Sequence, residues 1–472
     1  MAAVIPPADP KNVQGDIVIG FSKKLEVNLF FQIDNTDGFR KQLGQLVPKI
    51  TTAVQVTNDK ASIKKHKQAG GKDLLKISGL NIAFSQSGLN KLGITDDIGD
   101  SLFKDGQLAH ASDLGDKGAT FDNKAPPTDW VQAFRDPVHG FMIVAGDCQA
   151  TLDERLAEAM QILQMSSTGT CHEVLRLQGA VRPGDQKGHE HFGFLDSISN
   201  PAIKDVDTSP LPGQDTVSQG VILLGRDRDF QSFNRPDWAV DGSMLAFRYL
   251  SQLVPEFNDF LEQSANPLTG LTAEFLGARL MGRWKSGAPL DLTPLQDDPD
   301  LGKDPQRNNH FRYDFPEDSQ TQDRCPFAAH IRKTNPRNDL GEPLNTELNR
   351  ITRRGIAYGP ELSEAEQQQK RTLQDRGLLF RCYQSNLNHG FHFIQQSWAN
   401  FGNFPPGKST EPGFDAVIGQ NQLDSSSRSI TGVDPKNQST QLSLPALWVL
   451  PKGGEYFFSP SIPALKNRFA LA

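Results

Sequence analysis

The chain has 472 residues, with 49 basic against 56 acidic side chains for a net charge of −7, and it carries 41 glycines and 31 prolines. That length exceeds what one hydrophobic core usually serves, so two domains or one heavily inserted domain is expected, with many loops. A negative chain repels polyanions, which counts against nucleic acid as a partner, and no run approaches the ~20 apolar residues of a membrane helix. The opening MAAVIPPADPKNVQGD lacks the basic and apolar regions of a secretory leader, so either the chain is intracellular or a leader has been removed. Cys148, Cys171, Cys325 and Cys382 show no paired spacing and leave the compartment open, while Asn437-Gln438-Ser439 is a glycosylation acceptor compatible with secretion.

Residues 15–33, GDIVIGFSKKLEVNLFFQI, read as a strand, and Phe39, Leu43, Leu46, Val47 and Ile50 follow at helical spacing. The order repeats at 139–147, HGFMIVAGD, where Thr151 to Glu154 reads as a capping box ahead of Leu156, Met160 and Leu163. Residues 204–220 read as a linker, VILLGRDRDF (221–230) as a strand opening a second half, and Met244, Phe247, Leu250 and Val254 as a helix. Residues 377–401 pass from a strand into a helical segment, while 288–324 and 403–442 read as long loops. The expectation is an α+β chain of two related halves.

CPFAAHIRKTNPR (325–337) places His330 beside small and basic residues, as a metal ligand next to an anion site, a nucleic-acid patch or an ordinary turn. Ala328 and Ala329 leave room for a flat ligand, and Arg332, Lys333 and Arg337 suit carboxylates. Haem, with its iron and two carboxylate tails, needs both, and without a C-x-x-C-H motif it would be held non-covalently. In HFGFLDSISNPAI (191–203), Asp196 lies in an apolar setting that fits a turn, a cap or an acid/base group over a cofactor. ITRRGIAYGPE (351–361) offers Arg353 or Arg354 as its cationic partner. HEH, residues 189–191, sets two histidines on one face of an extended run and Glu190 on the other, a solvated or haem-edge feature rather than a metal site. His389 and His392 are rival axial candidates without cationic neighbours.

Together these stretches resemble the dye-decolorizing peroxidases, a haem family, and specifically its secreted fungal members. Gly193-Phe194-Leu195-Asp196 matches the distal Gly-x-x-Asp-Gly motif, with Ser197 in place of the second glycine, a costly exchange if that position needs positive φ. The resemblance makes His330 the axial ligand, Asp415 of PGFDAVIGQ its hydrogen-bonding acid, and Arg337, with Arg332 beside it, a propionate partner. It picks Arg353 over Arg354 as distal arginine, makes Leu378 and Phe380 of GLLFR pocket walls, and extends to GRWKSGAP at 282–289. Trp398 resembles an exposed tryptophan used as a surface radical site, and Tyr358 a tyrosine of similar role.

The implied fold is two ferredoxin-like domains, residues 1–215 carrying the distal aspartate and 216–472 carrying the proximal histidine, with haem mainly in the second. The implied activity is hydrogen-peroxide-dependent oxidation of dyes, phenols and related aromatics by one non-covalent haem b per chain, with an extracellular monomer or weak dimer as the expected form. A haem-handling protein with incidental peroxidase turnover is the alternative. An aspartate base, half ionised near pH ~4 where nearly every imidazole is protonated, predicts an acidic optimum.

Overall fold

A computed structural model describes residues 6–118, 126–266, 268, 270–314, 318–341, 346–421 and 427–471. Residues 1–5 of the opening segment, and parts of both long loops, lie outside the described residues. The first half supplies β1 (Leu25–Ile33), β2 (Ser78–Phe84), β3 (Gly140–Gly146) and β4 (Cys171–Ala180). The second supplies β5 (Ser243–Gln252), β6 (Thr352–Arg353), β7 (Ile356–Tyr358), β8 (Gly377–Gln384) and β9 (Val449–Ser459).

All nine join one antiparallel sheet in the order β4-β1-β3-β2-β9-β5-β8-β6, with β7 also beside β8. Each half repeats one ferredoxin-like order, since β4-β1-β3-β2 and β9-β5-β8-β6 both place the last strand of the half beside its first. The halves join where Phe458 of β9 faces Phe84 of β2, and β4 packs against β7 at the other edge, so the sheet curls into a barrel. Phe30 and Phe141 from one half stack at 4.8 Å, and Phe247 and Phe457 from the other pack on them at 4.9 and 5.2 Å. Helices α1 (Thr36–Leu46), α2 (Ala53–Gln68) and α3 (Gln149–Ile162) belong to the first half, and α1 buries Phe39, Leu43 and Leu46 as their spacing predicts.

Several sequence expectations are corrected. Residues 15–18 form a helical turn rather than the start of β1. The proposed capping box lies inside α3, which begins after Cys148. VILLG is not a strand: residues 221–224 are buried turns, and the strand that opens the second half is β5, read from sequence as a helix. β5 is covered on both faces. Leu245, Phe247 and Tyr249 point into the barrel, while Arg248, Leu250 and Gln252 point the other way, so the alternation is hidden under apolar residues on both sides.

Candidate active site

The outer face of β5 and β8 forms the floor of a cavity, with Leu250, Leu378 and Phe380 on it and loops from 190–201, 281–337 and 391–420 above. His330 opens the short helix α4 (His330–Thr334). Its Nδ1 bonds Asp415 Oδ2 at 2.8 Å, and its ring, 25 % exposed, faces the cavity. Asp415 is fully buried, and its other oxygen accepts the N–H groups of Val417 and Ile418 at 2.8 and 3.0 Å. Burial opposes charge on both partners, yet their attraction outweighs it, raising the His330 pKa and lowering that of Asp415. His330 Nε2 makes no hydrogen bond among the described residues, and with Nδ1 engaged by Asp415 it is the ring nitrogen left available to a ligand in the cavity.

Across the cavity, Arg353 Nη1 donates to Asp196 Oδ1 at 2.6 Å, and both side chains are 29 % exposed. The Ser197 N–H also reaches Oδ1, at 2.5 Å, leaving Oδ2 without a partner among the described residues. Burial pushes the Asp196 carboxyl up, but Arg353 and these hydrogen bonds bring it below the ordinary carboxylate range. The Asn200 side chain clamps the strand carrying the arginine, accepting the Arg353 N–H at 2.8 Å and donating to its carbonyl at 3.3 Å. Arg354 points elsewhere, its guanidinium bonded to carbonyls of residues 16–18. Ser197 stands at φ +66°, so the position does take the left-handed backbone that favours glycine.

Arg337, itself left-handed at φ +53°, lies on the cavity wall with its guanidinium on the carbonyls of Gly213, Asn309 and Phe311, Ser199 Oγ and Asn309 Oδ1. Arg283 shares Asn309 Oδ1, bonds the carbonyls of Gly287 and Asn308, and lies 5.4 Å over the Phe311 ring. Neither has a carboxylate partner among the described residues, although they are only 6 % and 4 % exposed. Arg350 adjoins them, bonded to Asp215 at 2.5 Å. Buried guanidinium groups without anions call for an anionic ligand, and a planar metal complex with carboxylate tails fits this wall together with the free imidazole nitrogen opposite. The sequence reading missed Arg283 and Arg350. Arg283 falls in the GRWKSGAP stretch, where only the resemblance drew notice to it.

Three expectations shift in position. Arg332 is not on the cavity wall: it is fully buried, paired with Asp339 at 2.7 and 2.9 Å and sandwiched between the rings of Tyr313 and Phe327. Two residues beyond His330 on a helix is more than half a turn, which sends Arg332 away from the ligand side. Trp398 is not exposed; at 5 % it lies stacked on Phe404 at 5.0 Å, in the π-helical segment Ile394–Ala399 whose Ile394 and Gln395 line the cavity. Tyr358 is also buried, its hydroxyl donating to Asp375 at 2.9 Å, and its ring packs 5.1 Å from Tyr249, which shares that carboxylate. The rival histidines are occupied elsewhere, His392 against the Tyr456 hydroxyl and His389 against the ring of Phe230.

The fold and site have the make-up of a haem-peroxidase type of centre: a histidine tied to a buried acid, facing an aspartate–arginine pair. Comparison with known proteins agrees. A family model described as the DyP dimeric alpha+beta barrel domain matches residues 12–183. Peroxidase 2 of Mycetinis scorodonius is 46 % identical over 98 % of this chain and 87 % of its own. A solved variant of the dye-decolorizing peroxidase from Pleurotus ostreatus is 46 % identical over 99 % of this chain and all of its own, with a TM-score of 0.93. A dye-decolorizing peroxidase solved in complex with 2,6-dimethoxyphenol is 43 % identical over 98 % of this chain and all of its own, with a TM-score of 0.87. The chain belongs to the dye-decolorizing peroxidase family and is a peroxidase, an oxidoreductase. Membership implies haem as cofactor, with hydrogen peroxide and aromatic compounds as substrates. No described helix is long and apolar enough to cross a membrane.

Proposed function

We propose that the chain binds one non-covalent haem b and uses hydrogen peroxide to oxidise bulky dyes, phenols and related aromatic compounds. The observation that carries this reading is the facing of His330 Nε2, backed by Asp415, with the Asp196–Arg353 pair across one cavity. His330 would hold the iron, and Arg337 with Arg283 and Arg350 would hold the propionates. When bound, haem supplies a redox-active iron that exchanges electrons with peroxide.

The protein's own part is proton and charge management. Asp196 Oδ2, without a hydrogen-bond partner among the described residues, takes the proton from one peroxide oxygen and returns it to the other. Arg353, fixed through Asn200, meets the negative charge that develops as the O–O bond breaks. Because Arg353 holds Asp196 below the ordinary carboxylate range, the base stays ionised in acid, and substrate oxidation peaks at acidic pH.

Leu378 and Phe380 narrow the distal space, so bulky reductants give up electrons at the surface. Trp398 relays them along the π-helical segment that starts on the cavity wall, and Tyr358 offers a second route. The 2,6-dimethoxyphenol found in complex with the solved relative is a phenol, a compound of the class this reading assigns as substrate. The chain acts outside the cell as a monomer or weak dimer, and its two domains divide between residues 215 and 216.

The absorption spectrum tests the reading first. Haem-loaded protein should show a ferric Soret band that changes within seconds of adding one equivalent of peroxide at acidic pH, and Asp196→Asn should slow that change by roughly 10²-fold or more. A Soret band indifferent to peroxide favours haem handling instead.

A further inference from the structure

The HEH motif is left unused by the peroxidase reading, yet its central residue stands on the cavity wall. Glu190 Oε1 accepts the N–H of Phe194 at 2.8 Å, while Oε2 accepts the N–H of Phe192 at 2.9 Å and the Gln252 amide at 2.5 Å. Its backbone closes the same turn, with Glu190 N to Phe194 O at 3.0 Å and Gly193 N to Glu190 O at 2.9 Å. Gly193 is thereby held at φ +96°, a conformation that admits glycine and resists other residues. Three residues on is Asp196, whose own N–H bonds the Gly188 carbonyl at 2.9 Å. Glu190 therefore grips from inside the loop that presents the distal aspartate.

None of the charged neighbours among the described residues bonds its carboxylate. Arg182 reaches only the Glu190 carbonyl and pairs with Glu361, and His191 bonds the Tyr358 carbonyl. The Lys285 side chain runs past Gly193, Arg353 is held by Asp196, and His330 stands across the cavity. Glu190 has no cationic partner among the described residues, whereas Asp196 has one. Burial raises the Glu190 carboxyl, outweighing the hydrogen bonds from Gln252, Phe194 and Phe192 that lower it, and the Asp196 charge adds to the rise; Asp196 itself is lowered.

We propose that Glu190 is the positioning residue of this loop, holding Asp196 against Arg353, and that its charge sets the upper edge of the acidic working range. This rests on the reading of Asp196 as acid/base group. As pH falls, Glu190 takes its proton first, leaving Asp196 as the single anion of the loop; as pH rises, a second negative charge appears beside it and the peroxide reaction slows.

Stopped-flow rates of the haem-loaded protein with hydrogen peroxide, taken from pH ~3 to ~8 to span both carboxyls, test this. Glu190→Gln, which mimics the neutral acid in shape, should keep the acidic rate and lose the fall toward neutral pH. Glu190→Ala should lower the rate about tenfold or more at every pH, as a displaced catalytic group does. A Glu190→Gln profile superimposed on that of the unaltered chain, with only the melting temperature changed, would reduce Glu190 to a structural residue and overturn the proposal. Asp196→Asn run alongside separates the two readings: if it leaves the rate intact, the Asp196 role fails; if it abolishes the rate while Glu190→Gln changes nothing, only the Glu190 role fails.

Discussion

Inside the barrel, Arg381 is fully buried and meets Glu26 through bonds of 2.8 and 2.9 Å and Asp16 at 3.0 Å; on the cavity wall, Arg283 and Arg337 are nearly as buried and meet no carboxylate among the described residues. The barrel cluster is electrostatically closed. Arg381 and Lys23 hold Glu26 against the cost of its burial and bring its pKa down to about 2. On the wall, burial lowers the pKa of Arg283, with Arg337 next to it adding repulsion, so this charge, met by uncharged acceptors alone among the described residues, is kept at a cost that an anionic ligand would offset. The difference separates a buried ion cluster that joins two halves of a fold from one that waits for an anion.

The sharpest way to break the comparison is to remove one arginine from each region. Arg381→Met strips buried Asp16 of its paired cation and leaves buried Glu26 with Lys23 alone, and should cost about 3–5 kcal/mol of folding stability, read from denaturant midpoints of the haem-free protein. Arg337→Met orphans no carboxylate. It should leave that stability within ~1 kcal/mol while weakening haem by roughly 10- to 100-fold in a Soret titration, as expected for a lost charge-assisted bond. Equal stability losses with haem affinity unchanged would erase the distinction.

Trp398 sharpens it on the reductant side, because its segment begins on the cavity wall and its indole lies under Phe404. Lys333, three residues after His330, donates to the carbonyls of Trp398 and Phe401 at 3.1 and 2.7 Å and ties this segment to the proximal helix. Trp398→Ser should depress steady-state oxidation of bulky dyes and leave the bimolecular rate with peroxide unchanged; unaltered dye turnover would remove the relay.

What the sequence made legible follows from range. His330, Asp415, Asp196 and Arg353 sit in short stretches whose residue order carries them, and the structure brings His330, Asp196 and Arg353 to one cavity with Asp415 bonded behind the histidine. The sequence does not carry the environment of a side chain. Arg332 and Arg337 share one basic stretch, yet Asp339 claims the first, and the second has no carboxylate hydrogen-bonded to it among the described residues. Trp398 read as exposed because no local pattern records Phe404 packing over it. The error at β5 has the same root, since a strand buried on both faces loses its period of two and Met244, Phe247 and Leu250 imitate a helix.

The smallest effect concerns the one motif position where this chain departs from its family. Ser197 holds φ +66° with an exposed side chain, and its contact with Asp196 is made by the backbone N–H, which any residue supplies. A left-handed non-glycine residue costs ~1–2 kcal/mol, while glycine gives back ~0.5–1 kcal/mol in chain entropy. Ser197→Gly should therefore raise stability by at most about 1.5 kcal/mol, a shift of no more than a few degrees in a chain this long. Its rate with peroxide should stay the same, because the backbone already adopts the conformation glycine would choose. A faster reaction in Ser197→Gly would mean that the serine distorts the loop, and that Glu190 and Asn200 do not by themselves hold Asp196 in register with Arg353.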